Sequence, residues 1–203
     1  FDYSGHGVSG GRFEDGTISR WAEEARAVFE TTEGPQILIG SSMGGWMALL
    51  LARAHLAEVG RAASRIAGMI LIAPAPDFTE DLMWAGFPEA VRREILETGR
   101  FEEPSAYSDE PYVITRALIE DGRRNLLLGG EIETGCPVTI LQGKRDESVP
   151  WRHALRIVER LARDDVTLTF VDDGDHRLSR PEDIELLLRT IDDMIDAASH
   201  RSR

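Results

Sequence analysis

Lysine and cysteine are nearly absent from this chain: in 203 residues, Lys144 is the only lysine and Cys136 the only cysteine. A single thiol excludes an internal disulfide and fits a reducing compartment, which sets the expectation of a cytoplasmic protein. Cys136 precedes Pro137 at the entrance of an apolar run, away from any turn that would present it as a nucleophile. Positive charge therefore rests on arginine, scattered through helical patterns as solvated faces. Acidic residues outnumber basic ones 36 to 23, for a formal net charge of -13. With no basic cluster, that balance argues against nucleic acid or an anionic membrane surface as a partner. No apolar run is long enough to span a membrane. No repeat or low-complexity stretch is present, and the five histidines and one cysteine never fall at metal-ligand spacing, so no metal is expected.

What is present is more specific. Gly40-Ser41-Ser42-Met43-Gly44-Gly45 stands between the apolar run Gln36-Ile37-Leu38-Ile39 and a helical run from Trp46 to His55. A strand feeding a helix through G-x-S-x-G is a nucleophile elbow, a sharp turn that lifts one serine oxygen above a sheet. That serine is Ser42, because Gly40 and Gly44 lie two before and two after it, where strand and helix are expected to pass closely. Ser41 fails the same test, with Met43 two residues after it. The backbone N–H of Met43 opens the helix and is aimed where a tetrahedral oxyanion would form.

A base and an acid are expected downstream, in the chain order serine, acid, histidine, on loops after later strands. Pro137 to Gln142 reads as a buried strand, and the polar loop after it carries Asp146. The next strand, Val166 to Val171, ends in Asp172-Asp173-Gly174-Asp175-His176. His176 is the expected base and Asp146 the expected acid, with Asp77 as an alternative at the end of the strand Ile70 to Ala75. His55 and His153 fall inside helical patterns and His200 in a frayed tail. Asp164, Asp165, Asp172, Asp173 and Asp175 read as surface charges. The run Gly5-His6-Gly7-Val8-Ser9-Gly10-Gly11 lacks the lysine of a phosphate loop and reads as a flexible turn before a helix near Ile18.

Alternating apolar strands and amphipathic helices predict an α/β fold, a mostly parallel sheet with helices on both faces. One helix spans about Ile18 to Glu30, with Ile18, Trp21, Ala25, Val28 and Phe29 facing a core. The last runs from Pro181 to Ala198, with Ile184, Leu187, Leu188, Ile191 and Ile195 inward and Arg201 to Arg203 a disordered end. The length supports one domain, 1–203, with an insertion over 77–134, where about sixty residues separate two strands. Helical patterns mark Glu89 to Thr98 and Val113 to Leu128. Phe78, Leu82, Met83, Trp84 and Phe87 form an apolar cluster at the entrance of the insertion; Phe78, Met83, Trp84 and Phe87 are candidates to line an acyl pocket, and anchoring the insertion to a core fits equally.

The blocks Phe1 to Ser9, Gly34 to Trp46, Cys136-Pro137-Val138, Asp146 to Trp151, Asp175-His176-Arg177 and Thr190 to Asp196 together resemble the α/β-hydrolase proteins known as palmitoyl-protein thioesterase and mycophenolic acid acyl-glucuronide esterase. The resemblance runs over nearly the whole chain. It implies a serine hydrolase acting on thioesters or esters, small-molecule or S-acylated, with the triad on Ser42, Asp146 and His176 and the insertion as a helical cap. Hydrolase chemistry of that kind calls for no organic cofactor. It also places three strands, and the second oxyanion donor, ahead of the segment that opens here, with Phe1-Asp2-Tyr3 as the end of a fourth strand. A non-catalytic binding module and a peptidase of the same fold are the alternatives.

Overall fold

The computed structural model describes residues 1–103 and 111–201, so 104–110 of the expected insertion and 202–203 of the expected disordered end lie outside the described residues. Two compact units emerge, Phe1–Ala27 with Asp77–Leu126, and Val28–Pro76 with Leu127–Arg203.

The larger unit is built on a four-stranded sheet. Its strands are β1 (Gln36–Ser41), β2 (Ile66–Ile72), then two from the second half of the chain, Val138–Gly143 and Val166–Val171, lying side by side in that order and all parallel. The two central runs, β2 and Val138–Gly143, are almost wholly buried and correspondingly rich in Ile, Leu and Val, whereas β1 and Val166–Val171 are only partly buried. Helix α2 (Met43–Val59) joins β1 to β2 and is apolar all round in its first half, where Gly45 through Ala52 are all buried. The helix Trp151–Arg160 makes the corresponding crossover between the last two strands, and helices cover both faces.

The final helix, Pro181–Arg201, departs from expectation. It continues through His200, which is therefore helical and not part of a frayed tail. Its buried apolar residue is Met194, whose side chain fills the space a Cβ on Gly68 of β2 would need. Ile184, Leu188 and Ile195, expected to face the core, are 42%, 56% and 47% exposed. Helical period fixes which residues share a face, but not which part of that face packs most closely, and here that part is Met194 over Gly68.

The smaller unit holds most of α1 (Ile18–Glu30), a 3-10 turn at Phe13–Asp15, a π-helical turn at Thr79–Trp84, α3 (Glu89–Thr98), an antiparallel ribbon of β3 (Arg100–Glu103) and β4 (Tyr112–Thr115), and α4 (Arg116–Arg124). The ribbon corrects the all-helical reading of this region. Tyr112-Val113-Ile114-Thr115 is a β-branched alternation that buries Ile114, and Thr115 then caps α4 by accepting the N–H of Leu118. Ile95, Ile114 and Ile119 form a small core. Ser19 donates its N–H and its hydroxyl to the buried Asp121 at 2.6 and 2.9 Å. In α1, Ile18, Trp21 and Ala25 are buried as expected, while Val28 is exposed.

Phe1-Asp2-Tyr3 forms no strand; the segment is tied into the following loop, with Ser9 Oγ donating to the Asp2 carbonyl and the His6 N–H to that of Tyr3. That loop is ordered by its own hydrogen bonds, the Gly5 N–H reaching the Gly10 carbonyl at 3.0 Å.

Candidate active site

The site is assembled at the carboxyl ends of the parallel strands, where crevices form in open α/β sheets. β1 runs into Ser42, which joins it to α2 with φ 52° and ψ -119°, a positive φ that a non-glycine residue adopts only at a cost of about 1–3 kcal/mol. Two hydrogen bonds continuing the sheet hold it there: the Ser42 N–H donates to the Ile72 carbonyl at 2.9 Å, and the Ser42 carbonyl accepts from Ala75 at 3.1 Å. Gly40 is required as expected, because a Cβ on it would lie 2.8 Å from the Gly45 nitrogen. Gly44 is not: a Cβ there meets nothing within 4 Å among the described residues. The tight position is Gly45, whose Cβ would lie 2.8 Å from that of Pro74.

We label the strand Val138–Gly143 β5 and Val166–Val171 β6, with α5 (Trp151–Arg160) between them and α6 (Pro181–Arg201) last. Asp146 follows β5 in a turn that closes on its own carboxylate: Oδ1 accepts the N–H groups of Ser148 and Val149 at 2.9 and 2.8 Å. Oδ2 accepts from His176 Nδ1 at 2.8 Å. An ionised carboxylate can only accept, so the Nδ1 of His176 carries the hydrogen, leaving Nε2 as an acceptor in the neutral ring. Ser42 Oγ stands 3.1 Å from that Nε2 and donates to it. Residues separated by more than a hundred positions are thereby joined in one relay. The Asp146 side chain is fully buried, while that of His176 is 29% exposed. Burial alone would push the Asp146 carboxyl up, but the bonds from His176, the Val149 N–H and Gln142, with the attraction of His176, hold it below the ordinary carboxylate range.

The loop that presents His176 is clasped at its base. Arg180 meets Asp173 through both terminal nitrogens, at 2.7 and 3.0 Å, and Asp183 through Nε and Nη2, each at 2.9 Å. Bidentate pairing on both sides fixes the guanidinium plane and, with it, the span from the end of β6 to the first turn of α6. Asp173 is a surface charge as expected, and its pairing with Arg180 adds to that expectation. The readable signal was an arginine three residues before an acid at a helix start. Asp164, also read as a surface charge, has a buried side chain that accepts from the Thr134 N–H, the Thr134 hydroxyl and the Gly135 N–H. Asp172 and Asp175 are exposed as expected, Asp172 paired with Lys144.

The other candidates fall as follows. Met43 is the first residue of α2, where helix geometry leaves the N–H without an intrahelical acceptor. Met83, Trp84 and Phe87 are half-buried against the Ile95, Ile114 and Ile119 core of the smaller unit, and Phe78 is half-buried. Asp77 is buried with a φ of 60°. His153 is buried in α5, its Nε2 2.7 Å from the Pro76 carbonyl.

A parallel sheet whose serine turn, acid and histidine follow three of its strands defines an α/β hydrolase, and the sequence pattern of the alpha/beta hydrolase family matches residues 1–185; the chain belongs to that family. It is 36% identical over 201 residues to mouse palmitoyl-protein thioesterase ABHD10, mitochondrial, covering 98% of this chain. It spans 65% of that relative's length. Among solved structures, a protein of Agrobacterium vitis S4 superposes with a TM-score of 0.88 at 55% identity, over 96% of this chain and 75% of that one. The mouse alpha/beta hydrolase domain-containing protein 10 superposes with a TM-score of 0.81 at 36% identity, over 97% and 76%. These relatives correct one expectation. The single cysteine pointed to the cytoplasm, whereas the curated mammalian relatives are named as mitochondrial. A thiol count reports redox conditions, which more than one compartment shares, and a compartment address is carried by a targeting segment on which that count bears no information.

Proposed function

We propose that the protein is a serine hydrolase that cleaves acyl thioesters or carboxylic esters through an acyl-enzyme on Ser42. The observation that carries this reading is the continuous relay from Ser42 Oγ to His176 Nε2 and from His176 Nδ1 to Asp146 Oδ2, at 3.1 and 2.8 Å. In the first half-reaction His176 Nε2 takes the hydroxyl proton as Oγ attacks the acyl carbon, and the Met43 N–H stabilises the oxyanion at the start of α2. Collapse breaks the bond to the leaving thiolate or alkoxide, which takes the proton from His176. Water then attacks the acyl-enzyme, giving its proton to the same nitrogen, and Ser42 leaves with that proton as the carboxylic acid departs. Asp146 keeps the imidazole in the required tautomer and stabilises its positive form without itself being protonated.

The substrate class follows from the name of the mammalian relatives, palmitoyl-protein thioesterase, and from the triad's indifference to the leaving group. Residues 1–203 are read as one hydrolase domain, 77–134 as its cap, and a small-molecule ester or S-acylated molecule as its partner. Phe78, Met83, Trp84 and Phe87 are proposed to contribute to acyl binding from that cap.

The test is turnover of acyl-CoA, S-acyl peptide and p-nitrophenyl esters by the full-length protein. Thioester or ester cleavage is expected, falling by about 10⁴-fold or more in Ser42→Ala. Absence of turnover on every substrate rejects the enzyme in favour of a binding module, and release of amino-terminal residues from peptides favours a peptidase.

A further inference from the structure

Gln142 ends in a place that no sequence pattern of the relay marks. It is the last residue but one of β5, fully buried, in a strand whose other buried residues are Val138, Ile140, Leu141 and Gly143. Its Nε2 stands 3.1 Å from Asp146 Oδ2, 3.2 Å from the Val149 carbonyl and 3.1 Å from the Gly143 carbonyl. Three acceptors around one end of the amide settle which end is nitrogen. The other end, Oε1, is buried with no hydrogen-bond partner among the described residues. The nitrogen end is the one that meets the Asp146 turn.

The two oxygens of Asp146 are held differently. Oδ1 is fixed by two backbone N–H groups of its own turn, which any residue at 148 and 149 except proline supplies. Oδ2, the oxygen facing His176, also accepts from Gln142, the one further side-chain donor to it among the described residues. Rotation about the Asp146 Cβ–Cγ bond moves Oδ2 relative to the imidazole, and the amide bridging Oδ2 to the Val149 carbonyl resists it. We propose that Gln142 is a positioning residue that locks the carboxylate plane of Asp146 and so sets the His176 Nδ1–H hydrogen bond. The inference rests on the hydrolase reading of Ser42, His176 and Asp146 for its kinetic consequence, but its geometric content stands apart from it.

The experiment compares the full-length protein with Gln142→Met, an apolar replacement of similar length, and Gln142→Asn, which keeps an amide too short for Oδ2. Two quantities are read: kcat and KM on whichever ester or thioester the wild type cleaves, and the downfield proton resonance of His176 Nδ1–H. Gln142→Met is expected to lower kcat roughly tenfold, as for loss of a hydrogen bond to a charged group, with KM changed little. The resonance should shift or broaden through faster exchange. Gln142→Asn should do the same, and it decides the matter should the Met variant not fold. A folded variant with unchanged kcat and an unmoved resonance overturns the proposal, as does a fall in kcat with the resonance in place, which marks a merely structural role. If the wild type cleaves nothing, the hydrolase reading fails, yet the resonance still decides whether Gln142 holds Asp146 against His176.

Discussion

Two glycine-rich turns in this chain look alike in sequence and carry their strain in opposite ways. In the loop Gly5 to Gly11, the positive φ angles belong to glycines, at 74° for Gly5, 51° for Gly7 and 91° for Gly11. In the turn Gly40 to Gly45, none of the glycines has a positive φ and the strain falls on Ser42, at 52°. Glycine adopts such a conformation at no steric penalty, so the first loop is relaxed. A serine held there stores energy, and its neighbouring glycines serve to let strand and helix close on it. The difference separates a turn made for the path of the chain from one made to present a side chain.

The largest break in that comparison is expected at Gly40. Gly40→Ala drives a methyl group into the backbone of Gly44 and Gly45, so strand and helix must part, at about 3 kcal/mol in chemical denaturation and with loss of any esterase activity. Its motif partner behaves oppositely: Gly44→Ala meets open space inside a helix and should change stability by less than about 1 kcal/mol, in the stabilising direction.

A second contrast sets the strained residues against one another. Ser42→Gly relieves a positive φ and should raise stability by about 1 kcal/mol while abolishing activity. Gly5→Ala creates the same strain, with its Cβ 2.6 Å from the Phe13 Cα, and should lower stability by about 2 kcal/mol. Equal effects of the two in the same direction would contradict the comparison.

Smallest is the acid dependence. Asp146 titrates below its ordinary range, burial being outweighed by its bonds from His176, Val149 and Gln142, and Asp183 does so through its bonds from Arg180. Such carboxyls bind protons more weakly folded than unfolded. They therefore contribute stability above the unfolded value of about 4 and lose it as the pH falls through their folded values. Unfolding followed against pH should show this loss in the acid range, and Arg180→Met should flatten it by removing the partner of Asp183 and Asp173.

Much of this was legible. The strands β1, β2, β5 and β6 are short apolar runs bounded by turns, and α1 and α3 lie where apolar periodicity puts them. That Ser42, Asp146 and His176 would come together was readable because their order along the chain and their places after strands are themselves chemical constraints. What escaped has physical reasons. The β3–β4 ribbon is too short for its alternation to stand out from helical neighbours. The exposure of Ile184, Leu188 and Ile195 reflects how α6 packs, and the contact of its Met194 with Gly68 joins residues more than a hundred positions apart. Gly44 matches the motif while Gly45, outside it, faces Pro74, a contact fixed only by the fold. Gln142 left one trace, a polar side chain at the end of a buried apolar strand, and its partner Asp146 became visible only through the turn.

The most direct measurement is labelling of the full-length protein with a fluorophosphonate, with the modified residue mapped by peptide mass. The relay predicts a single adduct on Ser42, with Ser41 unmodified, and a rate that collapses in His176→Ala. An adduct elsewhere, no adduct, or labelling of Ser42 at an unchanged rate without His176 would contradict it.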